Sequence, residues 1–451
     1  MASQCFLVVF MYMMGNSIFF EKSTAWLLRI FLFVVPWPTI WIYREVFLNG
    51  YKWEYGTLGL YASEVLLWLV VLCFLALFWQ RYLARHTREG WTFSRDRICV
   101  FTCMCFVLYT LASSIWALDA AVAWQRGLHS MAGVLLFLIL YLGPLRPKDA
   151  AHWFVFGMLI QSCLAIYQFV SQSTFGYKWL GLVEHVAAHG GTSVVVSGTE
   201  RWLRAYGAFP HPNMLGGFLV VSLAVTCAIR HVSPKAYPAW VFQVALAVQY
   251  TALVCSGSRS AWVSACIVTL FVMYLWVKDA RRRTLYMKDM ILVILLLISL
   301  GIVFFPFIST RVLGGSSYEV RSVVERMDGY ATSVSFIRQH PVLGVGAGNY
   351  TAALHATNPD FPGWVYQPVH AVPLLLLGEL GIVGILLLSC VCVAVVRMFF
   401  PEKFFAKRRM FLVAVLPMFL FDHYLFSSYQ GIVLVALLLY FFTVFTHRIS
   451  T

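Results

Sequence analysis

Charge is scarce in this 451-residue chain: Lys, Arg, Asp and Glu together supply 12% of it, and Asp with Glu only 19 residues. Soluble domains carry roughly 25% charged residues, so the composition excludes a soluble fold. The shortage of acidic residues leaves a formal charge of +14. In a soluble protein that excess would suggest a nucleic-acid partner, but basic residues also mark the cytoplasmic ends of membrane helices. The chain shows no low-complexity linker and no repeat of fixed period, and reads as a single integral-membrane domain over residues 1–451. Its 11 cysteines sit in or beside apolar runs, so no disulfide is expected. Cys99, Cys103 and Cys105 lie at helical spacing without a closed zinc-ligand set, which reads as packing.

What the chain does have is apolar length: 61% of it is hydrophobic and the mean hydropathy is +0.78. A helix needs about 20 mostly apolar residues to cross a bilayer. Twelve such runs can be read, among them Thr24 to Tyr43, Thr57 to Phe78, Gly127 to Leu142, Asn213 to Ile229 and Met410 to Phe426. The opening stretch Cys5 to Phe20 lacks a basic start and a small-residue cleavage site, so it is not read as a signal peptide. A thirteenth helix and an interfacial segment both stay open for it. The expected fold class is all-α, a polytopic membrane protein with twelve or thirteen transmembrane helices.

Basic clusters set the expected orientation. Arg81, Arg85, Arg88, Arg95 and Arg97 separate two runs, as do Lys278, Arg281, Arg282, Arg283 and Lys288, and then Arg397, Lys403, Lys407, Arg408 and Arg409. Arg146 with Lys148 and Arg230 with Lys235 occupy two smaller loops. All fall on one face if the helices alternate, and the positive-inside rule makes that face cytoplasmic. The opposite, exported face then holds the two longest polar excursions, residues 171–212 and 309–370. Loops of this length tend to be functional. The stretches Tyr177 to Leu180 and Tyr318 to Gln339 are expected as short amphipathic helices that either lie on the membrane surface or fold back over the membrane helices.

Charge at a membrane boundary is costly unless it is paired, solvated or used, and four exported places carry it. In Arg204 to Asn213, Pro212 and Asn213 have the chemistry of a helix start, with Asn213 as cap. That helix end, beside Arg201 or Arg204, either simply enters the membrane or faces a phosphate. In Cys255-Ser-Gly-Ser-Arg-Ser260, Arg259 either snorkels to headgroups or grips a diphosphate with its planar fork. In Arg321 to Asn349, the glycines from Gly344 onward lack the Gly-Lys-Ser/Thr of a nucleotide loop and read as a turn. Arg326 in that stretch has Glu319, Glu325 and Asp328 as ordinary partners. His370, at a helix start, is either structural or a general base for a hydroxyl, kept neutral by the helix N-terminus. Glu379 lies two turns deeper, and Asp422-His423 near the exported end of a late helix reads as a polar cap or as part of an acceptor site.

In this order these elements resemble the O-antigen ligase and O-antigen polymerase superfamily. The matching stretches are Gly207-Ala-Phe-Pro-His-Pro-Asn213, Ser256-Gly-Ser-Arg-Ser260, Arg326 followed by Pro341-Val-Leu-Gly-Val-Gly346, and His370 with Glu379-Leu-Gly381. Ser114-Ile-Trp-Ala-Leu-Asp119 upstream is also similar, so the resemblance spans roughly Ser113 to Gly431. It implies glycosyl transfer at the periplasmic face of the bacterial inner membrane, without metal or cofactor. The donor would be an undecaprenyl-diphosphate-linked glycan and the acceptor a glycan or lipid hydroxyl, with membrane lipids as surroundings and no nucleic acid. Two arginines and a histidine carry the family reaction, and by motif these fall on Arg259, Arg326 and His370. Arg204, Arg321, Arg201 and Asn213 would be auxiliary to the diphosphate, and Glu379, Asp422 and His423 would sit on the acceptor side. Ala371 stands after His370 where the family often has a small polar residue, which leaves the acceptor open.

The residues themselves agree with that implication. Departure of a diphosphate develops negative charge that fixed cations stabilise, and the exported loops carry arginines but no Asp-x-Asp. The expected function is O-antigen ligase, with polymerase, protein O-oligosaccharyltransferase and transporter as alternatives. A transporter would show matched halves and polar groups at mid-bilayer. Neither is seen here.

Overall fold

A computed structural model describes residues 17–85, 96–197, 200–235, 237–313, 317–399 and 405–448. The question of a helix within residues 5–16 therefore lies outside the described residues, as do Arg88, Arg95 and Lys403.

The first helix among the described residues, α1 (Ser17–Val34), stops short of Pro36 and Pro38, which remove backbone donors. The apolar run from Thr24 to Tyr43 is thus only partly helical. Its end, Ile40–Arg44 (β1), is β-branched and aromatic and extends as a strand. A small hairpin of Phe47–Leu48 (β2) and Tyr51–Lys52 (β3) follows. The chain then returns as Leu58–Tyr61 (β4), antiparallel to β1. The run expected from Thr57 to Phe78 likewise starts as this strand and turns helical at Ala62. Three helices continue from there: α2 (Ala62–Arg85), α3 (Asp96–Ala112) and α4 (Ala120–Leu142). Asp119 caps α4 by accepting from the Ala121 and Val122 N–H groups. Its carboxylate also pairs with Arg44 of β1, anchoring the strand pair to the helix entrance.

α5 (Pro147–Ser171) leads into the first long loop. There the structure forms a hairpin, Val194–Ser197 (β5) against Glu200–Leu203 (β6). Lys178–Leu180 makes a single 3-10 turn, so this loop has strands in place of the expected amphipathic helices. Four long helices come next: α6 (Pro212–Val232), α7 (Ala239–Ser256), α8 (Arg259–Lys278) and α9 (Arg283–Val303). The second long loop folds as α10 (Phe305–Leu313), α11 (Ser317–Gln339) and α12 (Tyr350–Thr357). The chain closes with α13 (Val372–Phe399), α14 (Phe405–Phe421), the single turn α15 (Tyr424–Ser427) and α16 (Tyr429–Arg448). The run expected from Met410 to Phe426 is therefore broken, with Asp422 in the gap.

Among the described residues, nine helices, α2 to α9 and α13, are long and apolar enough to cross a membrane. The fold is an all-α polytopic membrane protein. α1 carries Glu21, Lys22 and Arg29, α14 is 17 residues long, and α16 contributes the shorter apolar segment Tyr429–Val444. The apolar stretch of α6 is 83% buried against 22% for α9, so α6 is the axis of the bundle and α9 faces mostly outward. Small residues permit that centrality: a Cβ on Gly217 would stand 2.0 Å from the Tyr424 hydroxyl. At one end of α6, Arg230 Nε donates to Asp289 Oδ2 at 2.8 Å, with both side chains under 5% exposed. Arg230 is thus half of a buried ion pair joining α6 to α9, and is not simply a solvated loop cation.

α13 breaks at Gly381, where φ is +60°. The freed carbonyls are taken by the glycine turn: Val345 N–H donates to Gly378 O at 3.0 Å and Gly346 N–H to Glu379 O at 2.9 Å. In the other direction Ile382 N–H donates to Pro341 O at 3.0 Å. Backbone that leaves helical geometry near a membrane needs such partners. The same turn reaches α4, because Asn349 Oδ1 accepts from the Asp119 N–H at 2.7 Å and the Ser113 hydroxyl from the Ala347 N–H at 3.0 Å.

Candidate active site

α7 ends at Ser256 and α8 begins at Arg259, so Ser256 to Ser260 reverses the chain tightly. Gly257 at φ +59° makes this possible; a Cβ there would lie 3.0 Å from the Phe307 ring and 3.1 Å from Arg204 Nε. The end of a helix leaves carbonyls unpaired and partly negative. Arg204 Nε donates to the Ser256 carbonyl at 2.8 Å, and Arg311 Nε to the Gly257 carbonyl at 2.9 Å. Both arginines are buried. One comes from just past β6 and the other from α10, so each long loop delivers a cation to the same turn.

Pro212 opens α6 with no N–H to lose. His211, and not Asn213, is the cap: its Nδ1 accepts from the Asn213 N–H at 3.1 Å. The Asn213 side chain is engaged elsewhere. Its Oδ1 accepts from Arg204 Nη2 at 2.6 Å, and its Nδ2 donates to Asp422 Oδ1 at 2.5 Å. Ser260 Oγ donates to the second Asp422 oxygen at 2.6 Å. The entrances of α6 and α8 and the gap after α14 are thereby tied at one carboxylate.

Next to that carboxylate, His423 packs against His370, ring centroids 4.9 Å apart. His423 Nδ1 pairs with Ser427 Oγ at 2.7 Å. His370, immediately before α13, has a buried Nδ1 with no hydrogen-bond partner among the described residues. Burial and the charge of Arg326 lower its pKa to about 4. His211 and His423 are also held well below the usual range, first by burial. Arg204, His370, Arg311 and Arg326 add to the effect on His211, and His370, His211, Arg126 and Arg326 to that on His423. All three imidazoles are therefore neutral near pH 7, and each retains a nitrogen able to accept a proton. They line an open cavity of about 600 Å³ that extends past Arg126 to Tyr55, Tyr61 and Gln430. Among the described residues, no three His, Cys, Asp or Glu side chains converge as metal ligands.

The expected site residues do not all meet there. His370, His423, Asn213 and Asp422 line the cavity. Arg326, half-buried on α11, acts on all three histidines through its charge. Arg259 is the first residue of α8, half-buried and one position from Ser260. Arg201 is on β6 with Nε donating to the Ala187 carbonyl at 2.8 Å. Arg321 falls on α11, with its side chain outside the described part. Glu379 Oε2 accepts from the Gly348 N–H at 2.6 Å, so it holds the glycine turn and is separate from the cavity wall.

Arg311 and Arg126 escaped the sequence reading. Arg311 follows directly on an apolar run, and Arg126 directly precedes one. Both look like ordinary boundary cations, and only the fold shows Arg126 in the cavity wall, donating to the Phe426 carbonyl at 3.0 Å.

Residues 244–389 match the family model described as O-antigen ligase. No curated protein matches the chain. The matched segment holds Arg259, Arg326, His370 and Glu379, whereas Arg204, Asn213, Asp422 and His423 come to the same site from outside it. The chain is a multi-pass membrane protein whose segment 244–389 is similar to the O-antigen ligase family.

Proposed function

We propose that the protein transfers a glycan from undecaprenyl diphosphate to an acceptor hydroxyl at the periplasmic face of the bacterial inner membrane, as an O-antigen ligase acting on lipid A-core. The observation that carries the reading is His370: a neutral imidazole with a buried nitrogen unpaired among the described residues, in a cavity that Arg126 lines and within reach of the Arg326 charge. The acceptor oxygen attacks the anomeric carbon, the bond from that carbon to the diphosphate oxygen breaks, and His370 takes the acceptor proton. Arg326 and Arg259 hold the diphosphate and stabilise the charge that develops on the leaving oxygen. Arg204, with Arg201 and Arg321 in support, strengthens the positive field, and Arg311 adds its charge to it at His211.

The low basicity of His370 fits this order of events. Burial and the Arg326 charge make the imidazole a weak base, and a bound diphosphate would offset that charge and raise its basicity. Donor binding thus prepares the base, and water entering an empty site meets a poorer one. Arginines take over the task that metal ions perform for nucleotide sugars.

The test is release of undecaprenyl diphosphate by the purified protein, coupled to glycan transfer. Release without dependence on acceptor, or none at all, contradicts the reading. A deletion strain separates the two enzymes of the superfamily: unattached lipid-linked polymer marks a ligase, and single lipid-linked repeats mark a polymerase.

A further inference from the structure

The cavity extends past the residues that the reaction as proposed uses, into a part that it leaves unused. Beyond His423 it runs between the β1–β4 pair, α4 and the start of α16, reaching Tyr55, Tyr61, Gln125, Arg126 and Gln430. None of these lies within the matched segment 244–389.

Gln430 is 1% exposed, and neither its Oε1 nor its Nε2 has a hydrogen-bond partner among the described residues. An amide buried with both ends unpaired is costly, on the order of 1–3 kcal/mol for each group. Such groups call for an explanation by water or ligand. Arg126 Nε is likewise buried without a partner among the described residues, although the same guanidinium donates to Phe426 O through Nη1. Aromatic rings stand around these polar groups. Tyr61 stacks on Tyr429 with centroids 5.1 Å apart, and Tyr55 meets His423 edge to face at 6.0 Å.

We infer that this part of the cavity is the acceptor subsite and that its ligand is a saccharide. The assignment rests on the transfer reaction proposed above. The Gln430 amide offers one acceptor and two donors, which match neighbouring sugar hydroxyls. Arg126 adds a donor, and the Tyr55 ring gives the apolar face of a pyranose a surface to cover. An acyl chain would leave the amide and the guanidinium nitrogen unpaired, so the subsite selects the sugar part of the acceptor and not its lipid.

The acceptor side is thereby moved from Asp422 and Glu379. Both Asp422 oxygens are already used by Asn213 and Ser260, and Glu379 is held by the glycine turn. His423 stands at the junction, between Tyr55 and His370. A sugar bound at Gln430 would reach toward the base through that gap.

The experiment uses the full-length protein with a lipid-linked glycan donor and, in separate arms, lipid A-core and a second lipid-linked repeat as acceptor. Gln430→Met keeps length and apolar packing while removing both hydrogen-bonding ends, and Tyr55→Leu removes the ring from a half-buried position. Each should raise the acceptor KM at least tenfold with the donor KM unchanged. Gln430→Asn, which keeps the amide, should recover part of the loss. An unchanged acceptor KM in folded Gln430→Met, or an equal rise in both KM values, would overturn the subsite. Absence of transfer by the wild-type protein in both arms would instead overturn the glycosyl-transfer reading, so the two failures can be told apart.

Discussion

Asn213 Nδ2 donates to Asp422 Oδ1 at 2.5 Å, across 209 residues of sequence. This contact joins the entrance of the central helix α6 to the break after α14. It sits at the end of a chain from Ser256 through Arg204 to Asn213, with Ser260 on the other side of Asp422. Asp422→Ala would leave Asn213 Nδ2 and the Ser260 hydroxyl without their acceptor and remove a carboxylate that the Arg204 charge acts on. The expected cost is about 1–3 kcal/mol, read as a lower unfolding midpoint of the purified protein, with a loss of transfer. Asp422→Asn, which keeps the shape and one acceptor, should lose less stability.

The glycine turn and the α13 break make a second, purely structural prediction. A Cβ on Gly381 would lie 2.2 Å from the Val342 carbonyl oxygen, and one on Gly344 would lie 2.3 Å from the Glu379 carbonyl carbon. Both glycines have positive φ. Gly381→Ala or Gly344→Ala should therefore destabilise by more than about 1 kcal/mol. Gly301→Ala is the control, since nothing lies within 4 Å of its added carbon in α9. That change should be neutral or slightly stabilising, by about 0.5–1 kcal/mol, in the same unfolding assay.

The apolar runs and several charged residues of the candidate site are legible in the sequence, because apolar length and boundary charge are local properties. Pro212, His370 and the Ser256 to Ser260 turn stand where their neighbours suggest. What escaped depended on partners far away in the chain. Asn213 looks like a cap until Arg204 and Asp422 claim its amide, leaving the cap to His211. The β1–β4 pair hides inside two apolar runs, because a strand rich in Ile, Trp and Tyr is as hydrophobic as the helix beside it. Arg126, which lines the cavity, and Arg311, which holds the Ser256 to Ser260 turn, each border an apolar run and carry no local mark of those places.

Charge geometry at the diphosphate leads to a third prediction. Arg259→Lys and Arg326→Lys keep the charge but lose the planar fork that binds two phosphate oxygens at once. Each should lower kcat/KM for the lipid-linked donor at least tenfold, measured by carrier release. Wild-type activity in Arg259→Lys would remove that residue from the clamp.

The pH dependence follows from His370. Its pKa is lowered to about 4 by burial and by Arg326, so the free enzyme keeps the proton-accepting form down to that range. The acid limb of kcat/KM, which reports the free enzyme, should therefore fall near pH 4 and not near 6.5. The limb of kcat should lie higher, because a bound diphosphate offsets Arg326. In Arg326→Gln, the residual activity should show its kcat/KM limb shifted upward, toward the ordinary histidine value. A limb in the same place in the wild type and in Arg326→Gln would contradict the coupling.

The central claim is that His370 takes the acceptor proton during transfer. It is tested most directly by His370→Ala, with glycan transfer and binding of the lipid-linked donor followed on the same purified sample. The account predicts a loss of transfer of about 10²–10⁴-fold with donor binding retained. Full transfer of glycan from the lipid carrier by His370→Ala would contradict it.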